Sequence, residues 1–237
     1  MEQNSFLKGI KDGIPICLGY LSVSFAFGIF SVESGLSILE TLLISMANVT
    51  SAGQLAGVPI ICGGGSILEI AISQLVINMR YALMGVSLSQ KFGKSVKIFD
   101  RFLIAFVNTD EVFAVASGNS GTVGRRYLYG IILTPYLGWS GGTLLGAVAG
   151  NILPAVIISA LGVAIYGMFI AIVVPVAKES RGVALCALFA IALGCIFKAA
   201  PALSKIPEGF VIIICAMASS LLFAMVAPIP TKEEAIK

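Results

Sequence analysis

Four ionisable residues, Glu69, Arg80, Asp110 and Glu111, stand inside stretches that are otherwise long and apolar. Their types define a small set of chemistries. Arginine is a permanent cation whose planar donors suit a carboxylate held by two hydrogen bonds. Asp110 and Glu111 are anions that can hold an ammonium group or carry a proton, because burial disfavours the charged form of a carboxyl. As neighbours they point about 100° apart on a helix, which argues against a paired-carboxylate dyad. Asn108 shares the Glu111 face by i,i+3 spacing. Glu69 and Arg80 are 11 positions apart. On a helix that is about 16 Å, too far for a direct ion pair. Two readings are open for these charges: a structural ion pair between Arg80 and an acid, or a substrate or proton site.

Other chemistries are missing. The chain has no histidine. That removes His-ligated metals, Ser–His and Cys–His nucleophiles and histidine proton relays. The five cysteines are odd in number and scattered through apolar segments. They read as buried fillers rather than a disulfide framework. There is no HExxH, phosphate loop or metal-ligand cluster, so neither a metal nor a cofactor is expected. The run Cys62 to Ser66 is glycine-rich but lacks a following lysine, and reads as a flexible connection.

The elements that must position these residues are membrane helices. Of 237 residues, 58% are hydrophobic and only 11% charged, and the mean hydropathy is +1.01. A soluble domain carries about 25% charged residues. That excludes a soluble enzyme, a nucleic-acid-binding module and a disordered chain. The net charge of +3 is an orientation signal rather than a nucleic-acid footprint. The apolar stretches are continuous, unlike the alternating pattern of a barrel strand.

The expected fold is all-α, a polytopic helical membrane protein with seven or eight membrane segments. Segments fall at 13–32, 41–61, 66–89, 102–118, 183–198 and 209–227. The charge-free run from Tyr127 to Ala177 is too long for one helix and divides at Asn151 and Pro154. Residues 1–237 form one transporter domain, with a polar tail at 228–237. The first apolar run is longer than a signal-peptide core and is read as a retained helix.

Lys8 and Lys11, and the loop from Lys91 to Arg101, both belong on the cytoplasmic side by the positive-inside rule. An even number of crossings must then separate them, yet three candidate spans lie between. Either 41–61, which holds Asn48, Thr50, Ser51 and Gln54, is broken or re-entrant, its irregular backbone lining a cavity or buried in protein, or it crosses and the N-terminus lies outside.

Segment 102–118 carries Asp110 and Glu111 at its middle. Its apolar side chains supply about −4 kcal/mol of insertion energy, which two charges at roughly 2.5–3.5 kcal/mol each would cancel. It must therefore face protein or water. The third segment has Gln74, Asn78, Tyr81 and Gly85 on one side, Glu69, Ser73 and Arg80 on another, and an apolar stripe between. Gly138, Gly142, Gly146 and Gly150 form three successive GxxxG steps. Such a face admits another helix to near backbone contact, with the partner in this chain or another subunit. A faint internal echo links Pro15, Gly19 and Tyr20 with Pro135, Gly138 and Trp139.

These residues together resemble the AzlC family. The matching motifs are Gly13-Ile14-Pro15 through Gly19-Tyr20, Phe25-Ala26-Phe27-Gly28, and Ser51-Ala52-Gly53-Gln54-Leu55. Ile77-Asn78-Met79-Arg80-Tyr81 with Leu83-Met84, Thr109-Asp110-Glu111, and Tyr136-Leu137-Gly138-Trp139 with Gly142-Thr143 and Gly146 continue the match. The chain departs from the expected pattern at Tyr81, where a histidine is expected, and at Asn48-Val49-Thr50, where a more apolar run is expected.

The resemblance implies an exporter of branched-chain amino acids in the bacterial cytoplasmic (inner) membrane. Proton motive force would drive it, and a small AzlD-like membrane subunit would be its partner. On that reading Arg80 and Asn78 hold the substrate carboxylate, with Tyr81 beside them. Asp110, Glu111 and Glu69 hold the ammonium or carry the coupling proton, and Gln54 and Asn48 line the cavity. A passive channel, a purely structural subunit and an intramembrane enzyme are the competing classes.

Overall fold

The computed structural model describes residues 2–154, 156, 157, 167, 170, 173–178, 180–200, 203 and 206–227. The helices among them are α1 (Phe6–Glu33), α2 (Ile38–Ala47), α3 (Ser51–Cys62), α4 (Ile67–Ser89), α5 (Ile98–Phe106), α6 (Asp110–Ser117), α7 (Arg125–Ile152), α8 (Arg181–Ala199) and α9 (Glu208–Val226). Strands are absent among the described residues, where only two isolated bridges occur. The chain is a polytopic helical membrane protein: α1, α4, α7, α8 and the Gly209–Val226 stretch of α9 are each long and apolar enough to cross a bilayer. The expected sixth segment and the polar tail at 228–237 lie largely or wholly outside the described residues. The chain forms two compact units, Met1–Val58 with Asn78–Ile165, and Pro59–Ile77 with Tyr166–Lys237.

The first unit is organised by α1 and α7. Ser5 caps α1 with its side chain, and α7 ends at Ile152, just ahead of Pro154, which cannot continue a helix. The two helices run parallel. Gly9 faces Gly130, Cys17 faces Gly138, Leu21 faces Gly142, Phe25 faces Gly146 and Ile29 faces Gly150. Each pair is 121 positions apart. The GxxxG face is thus filled by α1 of the same chain, and a Cβ on Gly146 would fall on the Phe25 carbonyl. It is not open to a partner subunit, as the sequence alone left possible. The faint echo between the two helices has a spatial counterpart, since Tyr20 and Trp139 meet edge-on with ring centroids 5.1 Å apart. The core follows this seam, with Ile16, Tyr20, Tyr127, Leu128, Ile131 and Trp139 buried together.

A backbone knot closes one end of the unit. Gln3 and Phe92 both bridge to Val123. Gln3 N–H donates to Thr122 O (2.8 Å), Gly124 N–H to Gln3 O (2.7 Å) and Gly93 N–H to Val123 O (2.9 Å). The N-terminus, the basic loop after α4 and the loop before α7 therefore lie on one side.

The segment expected as one span at 102–118 is not a single helix: it is broken into α5 and α6. α5 climbs along α7 from the Asp100–Tyr129 hydrogen bond to Phe106, whose ring lies 6.2 Å from that of Tyr136. The chain breaks at Val107 to Thr109. α6 then returns to Asn119, whose side chain donates to the Tyr127 hydroxyl at 3.1 Å. Asp110 and Glu111 are not mid-helix: they open the first turn of α6 behind the Thr109 cap. There acidic side chains complement the positive helix end. The insertion conflict is resolved by breaking the helix rather than by hiding a charged face.

The 41–61 segment is also broken. α2 starts with a Ser37–Glu40 capping box. It runs back along α7, with Ser45 bonded to Thr143 at 2.6 Å and the Met46 carbonyl accepting from Tyr136 at 3.3 Å. It ends at Asn48, and α3 starts at Ser51. If α1 and the unbroken α4 each cross once, connectivity between the two ends of the knot requires α2–α3 to return to the side it left.

In the second unit α8 and α9 pack through Phe189 and Phe223, with ring centroids 5.9 Å apart. Gly209 N–H donates to Glu69 Oε1 at 2.9 Å, and Glu69 is 3% exposed.

Candidate functional site at two helix breaks

The two breaks meet. Ala47, Asn48, Val49 and Thr50 from one, and Ala105, Phe106 and Asn108 from the other, line a cavity of about 200 Å³ together with Asn78 and Tyr81 of α4. Each break follows from local sequence. Thr50 and Thr109 prefer non-helical positions ahead of a helix start, and Ser51 and Asp110 suit the first turn. Breaks at membrane depth expose backbone polar groups, which is tolerated only where they are enclosed by protein or line a cavity.

Several polar groups here have no hydrogen-bond partner. Thr50 Oγ1 and Asn108 Oδ1 are buried and unpaired, and both residues border the cavity. Gln54 is 1% exposed with neither amide atom paired. Buried polar groups are normally satisfied, so this concentration marks a place built for something other than packing.

The charges lie at the edge. Arg80 Nη1 contacts Asp110 Oδ2 at 2.6 Å. Arg80 Nη2 donates to the Tyr81 hydroxyl at 3.3 Å, and its guanidinium sits over the Tyr81 ring, 5.0 Å from the centroid. Both members of the ion pair are about half exposed. Glu111 accepts from the Tyr20 hydroxyl.

A second cavity, about 390 Å³, shares Tyr81, Ala105 and Asn108 with the first. It extends to Leu88, Phe92 and Arg101 beside the knot. Tyr81, Ala105 and Asn108 therefore stand between the central cavity and a wider, mostly apolar vestibule.

Of the residues singled out from sequence, Asn48, Asn78 and Tyr81 are brought to one cavity, and Arg80 and Asp110 pair beside it. Gln54 is buried in α3 away from the cavity lining. Glu69 belongs to the second unit and caps α9. Gly138, Gly142, Gly146 and Gly150 form the α1 seam. The sequence reading missed Tyr20, and gave Thr50 and Asn108 no binding role. The signal was present in Thr50-Ser51 and Thr109-Asp110, two helix-start dipeptides inside apolar runs.

Comparison with known proteins follows this geometry. An inner membrane protein of Escherichia coli (strain K12), YgaZ, is 31% identical over 62% of this chain and 62% of its own length. The chain thus spans less than two thirds of that relative. A membrane protein of Archaeoglobus fulgidus is 32% identical over 72% of this chain and 75% of its own. The branched-chain amino acid transport protein AzlC of Bacillus subtilis is 21% identical over 62% and 58%. No solved structure matches the chain. The family model described as AzlC protein matches residues 15–153, from within α1 to the end of α7 with both helix breaks included, and the chain belongs to the AzlC family.

Proposed function

We propose that the chain is the large subunit of a secondary transporter that exports branched-chain or similarly hydrophobic amino acids, coupled to protons, across a bacterial cytoplasmic membrane. The observation that carries this reading is the cavity between two helix breaks at membrane depth, with unpaired polar atoms inside and an ion pair at its edge. Discontinuous helices with their termini at a central site are how many secondary transporters hold polar substrates within the bilayer. The name of the Bacillus subtilis relative supports the substrate class.

Export direction is supported by charge. Lys8, Lys11, Lys91, Lys94, Lys97, Arg101, Arg125 and Arg126 cluster at or near the knot, which puts that side in the cytoplasm. The wider vestibule opens there, so substrate loads from inside. Asn48, Asn78 and Tyr81 contact the substrate. Arg80, Asp110 and Glu111 carry the coupling: a proton or the substrate ammonium exchanges against the Arg80–Asp110 pair. A small AzlD-like membrane subunit completes the assembly. The half-exposed Arg80–Asp110 pair supports this, because lipid is a poor neighbour for a charge.

The test is efflux. Cells loaded with a leucine- or isoleucine-containing dipeptide clear the free amino acid faster when both chains are expressed, and a collapsed proton gradient abolishes the gain. Equal clearance with and without the chains overturns the reading.

A further inference from the structure

An apolar groove of about 330 Å³ runs between α5, α7 and the start of α1. Val107 and Ile132 are buried in it, whereas Phe6, Leu103 and Leu133 are each 42% exposed and Phe106 50%. Tyr129 and Tyr136 of α7 also line it. On α7 the lining positions 129, 132, 133 and 136 continue the face of Arg125, by steps of three and four residues. Arg125 therefore heads the groove. From Arg125 to Tyr136 the helix rises about 16 Å, close to half of the roughly 30 Å of hydrocarbon in a bilayer. The apolar stretch from Tyr129 to Tyr136 is about 10 Å long, so its volume gives an average section of about 30 Å², less than half that of a helix 10 Å across. A partner helix does not fit inside it, and a thinner chain does.

The mouth of the groove is basic. The Tyr129 hydroxyl donates to Asp100, and Arg125 and Lys97 lie close enough to act on that carboxylate. Lys94, Lys97, Arg101, Arg125 and Arg126 are all exposed. The acids facing them are Asp100 and Glu2, which accepts from Ser95. Lys8 is held by Asp12, and the ion pairs among the described residues are Lys8–Asp12 and Arg80–Asp110. Positive charge at the mouth is thus left unmatched within the chain, directly above an apolar slot one leaflet deep.

We infer that the groove binds an anionic phospholipid, with its phosphate on Arg125 and Lys97 and one acyl chain laid between α5 and α7 as far as Phe106 and Tyr136. Basic residues at a pocket between membrane helices hold phosphate headgroups, and the slot beneath takes the chain. Phe106 lines both this groove and the cavity between the helix breaks, so the bound chain backs one wall of that cavity.

The experiment titrates the full chain, delipidated in detergent, with dioleoyl phosphatidylglycerol and with dioleoyl phosphatidylcholine, and counts bound lipid by native mass spectrometry. Wild type binds the first phosphatidylglycerol about tenfold or more tightly than phosphatidylcholine. Arg125→Gln with Lys97→Gln removes that preference. Arg125→Lys with Lys97→Arg, which keeps both charges, retains it and so separates loss of charge from loss of fold. A charge-matched pair elsewhere, Lys178→Gln with Arg181→Gln, leaves phosphatidylglycerol within about twofold. Leu133→Trp, which fills the slot without touching the charges, weakens both lipids. Glycerol 1-phosphate, which carries the charge without the chains, does not compete. Equal affinity of wild type for the two lipids overturns the inference, as does an equal loss in the Arg125/Lys97 and Lys178/Arg181 variants. Competition by glycerol 1-phosphate, or unchanged lipid binding in Leu133→Trp, overturns the groove as the place of the chain.

Discussion

Arg80 and Asp110 meet at 2.6 Å although they belong to different helices, one the unbroken α4 and the other the short α6 that starts at the second helix break. The pair ties α4 to the break that forms one wall of the cavity. Removing one partner leaves the other uncompensated. Because both side chains are half exposed, the cost is set at about 1–2 kcal/mol, below that of a fully buried pair.

The matching prediction concerns abundance and transport separately. Arg80→Gln and Asp110→Asn each lower membrane abundance, and the double variant recovers part of it, because no lone charge remains. Efflux stays at least about tenfold reduced in all three. Arg80→Lys does not rescue efflux, since an ammonium cannot reach Asp110 and Tyr81 together from one planar group. Quantitative immunoblotting and efflux from the same cells check this. Full efflux in the double variant would remove the pair from the mechanism.

A second prediction tests the α1–α7 seam. Gly146→Ala places a methyl on the Phe25 carbonyl and forces the two helices apart, while Gly141, five positions earlier, has open space beside it. Gly146→Ala should cost about 1–3 kcal/mol, and Gly141→Ala should be neutral or slightly stabilising. Thermal unfolding in detergent distinguishes them. Equal melting temperatures would mean that the seam yields at no cost.

Much of this was legible in sequence, and the remainder was not for physical reasons. Hydropathy located the long helices, since an uncharged run of some 20 residues has few other solutions. Small residues every fourth position marked the seam, but a repeat cannot say which helix fills it. Segment 102–118 reads as one helix because its apolar content looks continuous, and on that reading Thr109-Asp110 counts as a cost instead of as a helix start. Cap signals compete with periodicity, and inside a membrane the cap wins only when the freed backbone has a cavity to line. That Asn48 and Asn108 share a cavity depends on two segments approaching in space, which no local pattern encodes.

The knot gives a pH prediction. Burial opposes ionisation of Asp100, but hydrogen bonds from the Tyr129 hydroxyl and the Lys97 N–H, with Arg125 and Lys97 nearby, outweigh it and hold the carboxyl below the usual range. A depressed folded-state value adds stability that is present above the unfolded value, about 3.9, and is lost as pH falls through the folded one. The protein should therefore lose stability on acidification below about pH 4, and Asp100→Asn should flatten that part of the profile. A melting-temperature series from pH 7 to pH 3 on both proteins measures it. Parallel profiles would exclude Asp100.

Glu69 and Glu111 can be told apart by experiment as structural and coupling carboxylates. It accepts from Gly209 N–H at the start of α9, where an anion is favoured. Glu69→Gln keeps an acceptor of the same size and should cost about 1 kcal/mol, with efflux and its pH dependence unchanged. Glu111→Gln, which alters the group bonded to Tyr20, should shift the pH dependence. A shift in the Glu69 variant instead would return that residue to the coupling machinery.

The last prediction addresses the turn-back of α5–α6 directly. Both ends of that pair lie at the knot, because Lys91 Nζ donates to the Asn119 carbonyl and Val123 N–H to the Lys91 carbonyl. In a background with the native cysteines replaced, Lys94→Cys and Ser120→Cys should react with an impermeant maleimide from the same side, the cytoplasmic one. Gly64→Cys, at the turn between α3 and α4, should react from the other, because α4 is a single 23-residue helix between that turn and the knot. A crossing helix over 102–118 would place Lys94 and Ser120 on opposite faces. It would also carry Asp110 and Glu111 through the bilayer interior without a helix N-terminus to receive them, at roughly 2.5–3.5 kcal/mol each. Labelling of the two positions from opposite sides would show that the membrane accepts that cost, and would dissolve the paired-break cavity on which the transport mechanism rests.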